Sequence, residues 1–280
     1  MSDVRRAGAL ARTAGAAGLC AVLLAGCGGG GGERSDGKDP ATTAPTGAQG
    51  APRGGGDPPV PGPTGFDFDP DPARVPRDRA AALALARVVA AGPEDLGRDY
   101  RRATPYESGP AAWNVLDASC TWRGGAPPRD VLASFTRRSR LPAAGGRGTL
   151  RVAATVTVHR TESSADREMA ETLEEALRCP DQRLGGSERI TGLMSMGAGF
   201  GDGANRTSDD TLMEGGRFLD ERVGGEPAYY AWHQDRLGPV TVALVIKGAE
   251  GFEDQELRRS AAQVLVYMKA RLTEALGAGA

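Results

Sequence analysis

Leu150-Arg-Val-Ala-Ala-Thr-Val-Thr-Val-His159 is the stretch that decides the fold. Leu150, Val152, Ala154, Val156 and Val158 alternate with Arg151, Thr155, Thr157 and His159. That period of two marks an extended strand with one face in a core and the other face polar. A parallel sheet is covered on both sides, so its strands read as unbroken apolar runs. The alternation therefore predicts an antiparallel sheet.

Toward the C-terminus, Ser163 to Arg178 predicts a helix, with Ser163 and Asp166 as a capping pair and Cys179-Pro180 as the stop. Its apolar stripe is Met169, Leu173, Ala176 and Leu177. Gly192 to Gly216 reads as a long Gly-rich loop, followed by a candidate strand from Arg217 to Val223. Ala228–Leu237 and Gly238–Lys247 predict a hairpin turning at Gly238-Pro239, with Val240, Val242, Leu244 and Ile246 on one face. Glu253 to Ala275 predicts a closing helix with Leu257, Ala261, Val264, Leu265, Met268 and Leu272 on its apolar stripe.

Toward the N-terminus, Val, Phe and Thr favour a strand over a helix from Val131 to Arg140. Trp113 to Trp122 is short, apolar and bounded by turn residues, which predicts a buried strand. Arg77 to Ala91 predicts a helix between Pro76 and Gly92-Pro93, with Ala81, Leu85, Val88 and Val89 as its stripe. Phe66 and Phe68 read as an extended arm laid on the domain. Helices and strands do not alternate strictly. The fold class is therefore α+β: a single domain over residues 64–280, an antiparallel sheet flanked by helices.

Residues 1–63 have a different character. Arg5, Arg6 and Arg12 precede an apolar run from Thr13 to Leu24, the layout of a secretory signal peptide. The run is shorter than the roughly 20 residues that span a bilayer. Leu24-Ala25-Gly26-Cys27 resembles the bacterial lipoprotein signal, in which cleavage precedes the Cys and its thiol takes a diacylglycerol. The resemblance implies a signal peptide over residues 1–26 and lipidation of Cys27, with palmitate-type chains holding the protein on the extracytoplasmic face of the cell membrane. Residues 28–63 are dominated by Gly, Pro, Ala and Thr, a composition that buries too little surface to order. As a tether, about 36 such residues span roughly 35 Å.

The charge of −2 becomes −4 once Asp3, Arg5, Arg6 and Arg12 leave with the signal. A mildly acidic chain with no basic stripe excludes nucleic acid as a partner on electrostatic grounds. Lys is confined to Lys38, Lys247 and Lys269, and the Arg, Ala and Gly bias points to a GC-rich bacterium, an actinobacterium first. Of four Cys, Cys20 leaves with the signal and Cys27 is the anchor, so Cys120 and Cys179 form the default disulfide of an oxidising cell-envelope compartment. Metal ligation by that pair would need about four ligands, and the chain has two His to add.

Catalytic signals are thin. His159 and His233 are the first suspects for a hydrolase, and plain surface histidines are the alternative; no G-x-S-x-G elbow accompanies them. Gly197–Gly203 lacks the strand and helix that flank a dinucleotide cradle, so it reads as a flexible segment. Asp202, Asn205, Asp209, Asp210 and Glu214 offer oxygens for calcium without EF-hand spacing, and read as a solvated acidic loop. Tyr229, Tyr230, Trp232 and His233 form the candidate ligand cleft, since clefts use aromatics with polar tips; sheet-core packing is the competing reading. No cofactor, metal or catalytic residue is assigned.

The globular order resembles the PknH-like extracytoplasmic sensor domain of actinobacterial receptor kinases and the lipoproteins that share it. The likeness rests on the helix Arg77–Ala91, the Cys120-Thr-Trp122 strand, Cys179, and the strand Gly238–Lys247 followed by a long helix. It implies a cleft sensing a small-molecule ligand, without enzyme activity. A cell-envelope hydrolase and a structural lipoprotein binding an envelope-protein partner are the alternatives. The anchor has a direct test: Cys27→Ser should shed the protein into the medium or leave it unprocessed, and a Cys27→Ser chain that still takes lipid label would overturn the lipidation.

Overall fold

The computed structural model describes residues 66, 68–109, 112–197 and 207–277, all within the compact unit Pro58–Ala280. The signal peptide, Cys27, the tether and residues 198–206, with Asp202 and Asn205, lie outside the described residues. The elements run α1 (Arg79–Val89), α2 (Pro93–Leu96), β1 (Arg101–Glu107), β2 (Trp113–Leu116), β3 (Trp122–Gly125), β4 (Val131–Leu141) and β5 (Leu150–His159). They continue with α3 (Glu162–Arg178), β6 (Gln182–Gly185), β7 (Glu188–Gly197), β8 (Asp210–Asp220), β9 (Ala228–Leu237), β10 (Val240–Lys247) and α4 (Asp254–Leu276). Eight strands form one antiparallel sheet in the order β1-β4-β5-β10-β9-β8-β7-β6, and β2 pairs with β3 apart from it. The fold is α+β and dominated by the sheet. No described helix is long and apolar enough to cross a membrane.

β5 sits between β4 and β10 in continuous register with β10 from Arg151 to Val158. Its apolar set faces Val240, Val242, Leu244 and Ile246, and this surface is roofed by α4 and α1. The α4 stripe is buried as its spacing predicts, and Met268 and Leu272 are fully enclosed. In α1 the buried line is Ala82, Ala86 and Val89, one position round from the predicted stripe, and Val88 is 62% exposed. Alanine on the buried line lets the helix approach β4 closely. Phe66 and Phe68 pack on the same core, as the arm reading requires.

The other face of the sheet is concave. Across a flat sheet, β5 and β7 would lie four strand spacings apart, about 19 Å. Yet the guanidinium of Arg151 on β5 is 3.5 Å from the carboxylate of Glu188 on β7. The sheet is therefore curled enough for side chains to meet across the hollow. α3 lies in this hollow, touching β5, β7, β8, β9 and β10. Thr161, not Ser163, caps it, accepting from the Ser164 N–H. Of its predicted stripe Met169 and Ala176 are buried, whereas Leu177 is 72% exposed.

Two stretches differ from expectation. Trp113 to Trp122 is a small exposed hairpin rather than one buried strand, because the Asp117 carboxylate accepts from the Ser119 and Thr121 N–H groups and turns the chain. Within Gly192 to Gly216, residues 192–197 and 210–216 are the arms of the β7–β8 hairpin rather than loop. A Cβ at Gly216 would lie 3.1 Å from the Thr191 carbonyl oxygen and 3.2 Å from the Leu193 Cα. The glycine there serves a close strand approach, not flexibility.

The Cys120–Cys179 disulfide is formed, joining the turn of the small hairpin to the C-terminal cap of α3. Trp122 reinforces the joint by donating its indole N–H to Gln182 Oε1 at 2.7 Å. The bridged residues are 59 apart in sequence. Opening that loop with Cys120→Ser and Cys179→Ser should cost about 4 kcal/mol of unfolding free energy on loop-closure grounds. Urea unfolding of the oxidised and substituted chains measures it; a loss below about 1 kcal/mol would mean the bridge constrains little.

Candidate functional site

Strand periodicity divides the predicted cleft residues between two cores. On β9, Tyr229 and His233 point to the α4 side, where Tyr229 lies under Arg258, 5.4 Å from guanidinium carbon to ring centre. Tyr230 and Trp232 point into the hollow and pack with Ile190, Phe218 and Ala176 of α3. Tyr229, Tyr230 and His233 are 6–7% exposed. Trp232 is half-buried and donates to Gln234 Oε1 at 3.1 Å. Because β9 is a mid-sheet strand covered on both faces, the four residues are packing groups of two cores rather than walls of one cleft.

Neither histidine is on the surface. His159 is 2% exposed beneath α3, with Nε2 2.7 Å from Glu168 Oε2, and the same oxygen accepts from Thr241 Oγ1 at 2.7 Å. His233, on the opposite face, has its pKa lowered by burial. The acids do not form a solvated calcium loop either. Asp209 accepts from the Gly238 N–H at 2.6 Å and pairs with Arg236 at 3.0 Å, which fixes the β9–β10 turn. Asp210 accepts from the Thr211 N–H. Glu214 is buried in the hollow. Among the described residues no three His, Cys, Asp or Glu side chains gather as a metal site.

α3 covers only part of the hollow. Beyond it, toward the Leu150 end of β5, a cavity of about 490 Å³ stays open. Its floor is Ala153 and Val245, and its walls come from β1, β4, β7 and the chain after β8. Cations dominate it. Arg101 of β1 lies opposite Arg140 of β4, Arg140 opposite Arg151 of β5, and Arg151 opposite Lys247 of β10. Directly opposed residues share a face at about 5 Å between Cβ atoms, and like charges there are destabilising. Arg138, two residues along β4, and Arg222, at the rim, complete the lining.

Only one side of this row is compensated. Glu188 bridges Arg151 at 3.5 Å and Lys247 at 2.5 Å, and Asp220 meets Arg151 at 3.5 Å and Arg222 at 3.4 Å. The Ser187 hydroxyl, with Arg222, holds the Asp220 carboxyl down to about 2. Arg101 folds back onto the carbonyls of Arg98 and Tyr100. Arg138 and Arg140 have no carboxylate or hydrogen-bond partner among the described residues. Their neighbour Arg137, on the opposite face of β4, has both the Ala90 carbonyl and Glu107.

This basin was not legible in the sequence as a site. The local trace is Arg137-Arg138-Ser139-Arg140, but the acidic total charge masks it, and Arg151 and Lys247 join it only through strand register. The expectation that the chain carries no basic stripe is corrected here. Chemically, the basin offers guanidinium donors and uncompensated positive charge. A comparison with family models and one with curated proteins find no match to this chain.

Where α3 covers the hollow, burial raises the pKa of two carboxyl groups. Burial raises Glu214 from 4.5 to about 8, with Glu175 of α3 adding to it. Burial, together with Glu171 and Glu168, raises Glu175 to about 7 against the opposing pull of Arg178. The unfolded chain releases both protons near 4.5, so the folded state binds more protons between that pH and about 8. Stability from this pair is full below pH 4.5 and is lost as pH rises to about 8. Glu214→Gln should flatten that decline in thermal unfolding followed across the window; an unchanged slope would show that the pair does not carry it.

Proposed function

We propose that this chain is a lipid-anchored, extracytoplasmic ligand-binding protein of the sensor type, and that it is non-enzymatic. The membrane partner is reached through lipidated Cys27 and the tether over residues 28–63. The ligand sits in the open half of the hollow, not at Tyr229, Tyr230, Trp232 and His233, whose side chains are occupied in packing. The observation that carries this reading is the partner-free pair Arg138 and Arg140 on the wall of an open cavity. A protein gains nothing in stability from opposed like charges, so their presence at a concave site is best accounted for by a ligand that supplies the counter-charge.

The hydrolase alternative has one observation in its favour, the contact of His159 with Glu168. That pair is sealed beneath α3, away from the open cavity, and lacks a nucleophile with access to solvent. The partner-binding alternative draws on the exposed β2–β3 hairpin, where Val115 is 46% exposed.

Native mass spectrometry of the full chain, purified gently from bacterial membranes in mild detergent, separates the three. A retained small mass, still present in His233→Ala and His159→Ala, is expected. Conversion of that mass into two fragments, abolished by His159→Ala, would replace binding by hydrolysis. A bare protein mass together with specific cross-links to one envelope protein would replace it by partner binding.

A further inference from the structure

The lining of the basin narrows the ligand class, an inference that rests on the binding reading above. Five cations face the cavity, Arg138, Arg140, Arg151, Arg222 and Lys247. Two carboxylates answer them, Glu188 and Asp220, and both stand on the β7–β8 side. Three positive charges are left over, and the uncompensated pair lies together on β4. A monovalent anion would leave most of that excess in place.

Geometry points the same way. Arg138 and Arg140 are on one face of one strand, about 6.7 Å apart along it. Each guanidinium is a planar fork that takes two oxygens of a carboxylate or phosphate. A single carboxylate has too few oxygens to satisfy both forks. Two acidic groups joined by a short linker would satisfy them, with Lys247 and Arg151 adding long-range attraction from the floor. The apolar lining is made of small side chains, Ala103, Val152, Ala153 and Val245, and among the described residues no aromatic ring lines the cavity to stack a large hydrophobic body. The concave wall also focuses the field of the row, so the attraction is strongest inside the basin rather than over the outer surface.

We infer that the basin binds a small, multiply charged oxyanion, of the diphosphate or tricarboxylate kind, with Arg138 and Arg140 as its two principal ligands. Occupancy removes the repulsion along the Arg140–Arg151–Lys247 row. Binding and stability are therefore coupled through the same side chains.

The test uses the full chain in mild detergent, with thermal unfolding and titration calorimetry as readouts, and pyrophosphate, citrate, acetate and sodium chloride as probes. Without ligand, added sodium chloride should raise the melting temperature modestly by screening the row. Pyrophosphate or citrate should raise it further at matched ionic strength, and acetate should not. The difference between the first two assigns the phosphate or the carboxylate form. Arg138→Gln with Arg140→Gln should melt no lower than the parent in the absence of ligand and should bind the oxyanion at least about tenfold more weakly. Arg138→Lys with Arg140→Lys keeps the charge without the forks and should fall between. If the double Gln variant does not fold, Arg140→Gln alone carries the comparison, since that side chain is exposed.

Melting shifts from pyrophosphate and citrate no larger than those from sodium chloride would overturn the inference, and so would calorimetric binding unchanged in the Gln variants. Arg138-dependent binding seen only with vesicles of anionic phospholipid would also overturn it, in favour of a membrane surface. A retained neutral ligand that the Gln variants still hold would overturn this inference while leaving the binding reading standing. No retained mass and no oxyanion binding would remove both.

Discussion

Every strand in the middle of the sheet has two faces to bury, and among the described residues three helices of more than ten residues are available to cover them. The outer face takes two of them, α1 and α4, which cover its apolar side chains. The hollow takes one. At 17 residues, α3 is about 26 Å long, and a single helix of that length cannot roof a hollow floored by five strands. The uncovered remainder has to be soluble, and here it is lined with Arg and Lys. The basin is thus the direct consequence of a two-sided sheet with an unequal supply of helices.

The covered part of the hollow is itself unusual in composition. Beside the small apolar cluster of Ile190, Leu193, Phe218 and Tyr230 lie His159, Thr157, Gln234 and Glu214, all nearly inaccessible. Buried polar groups cost free energy unless they are partnered. His159, Glu168 and Thr241 partner one another, whereas Glu214 and Glu175 reduce the cost of a buried charge by holding their protons to higher pH. The hollow therefore holds two different electrostatic zones: acids with raised pKa beneath α3 and uncompensated cations beside it. The disulfide at the end of α3 and the Thr161 cap at its start hold the helix across the first zone, which keeps the second one open.

The cation row is maintained against local stability. Cross-strand like charges, with acids on one side only, are the reverse of what a sheet selected for stability alone would carry. Glu188 and Asp220 relieve the part nearest β7 and β8, and they also draw the two edges of the hollow together through Arg151. The same ion pairs serve both curvature and charge balance.

Local features were legible from the amino-acid order alone. The alternation of β5, the turn of the β9–β10 hairpin and the stripe of α4 could be read because each depends on residues within one element. The Cys120–Cys179 pairing was legible from parity and compartment. Which face each side chain serves was settled by packing. The stripe of α1 rotated to present alanine to β4, residues 192–197 and 210–216 of the Gly-rich stretch became strand where Gly216 permits close approach, and the Tyr229–His233 group split between two cores because β9 lies mid-sheet. The candidate site followed the same rule. Arg140, Arg151 and Lys247 belong to three strands and become neighbours only through register. Periodicity is a property of a short segment, whereas register, curvature and helix coverage arise from contacts between segments far apart in the chain.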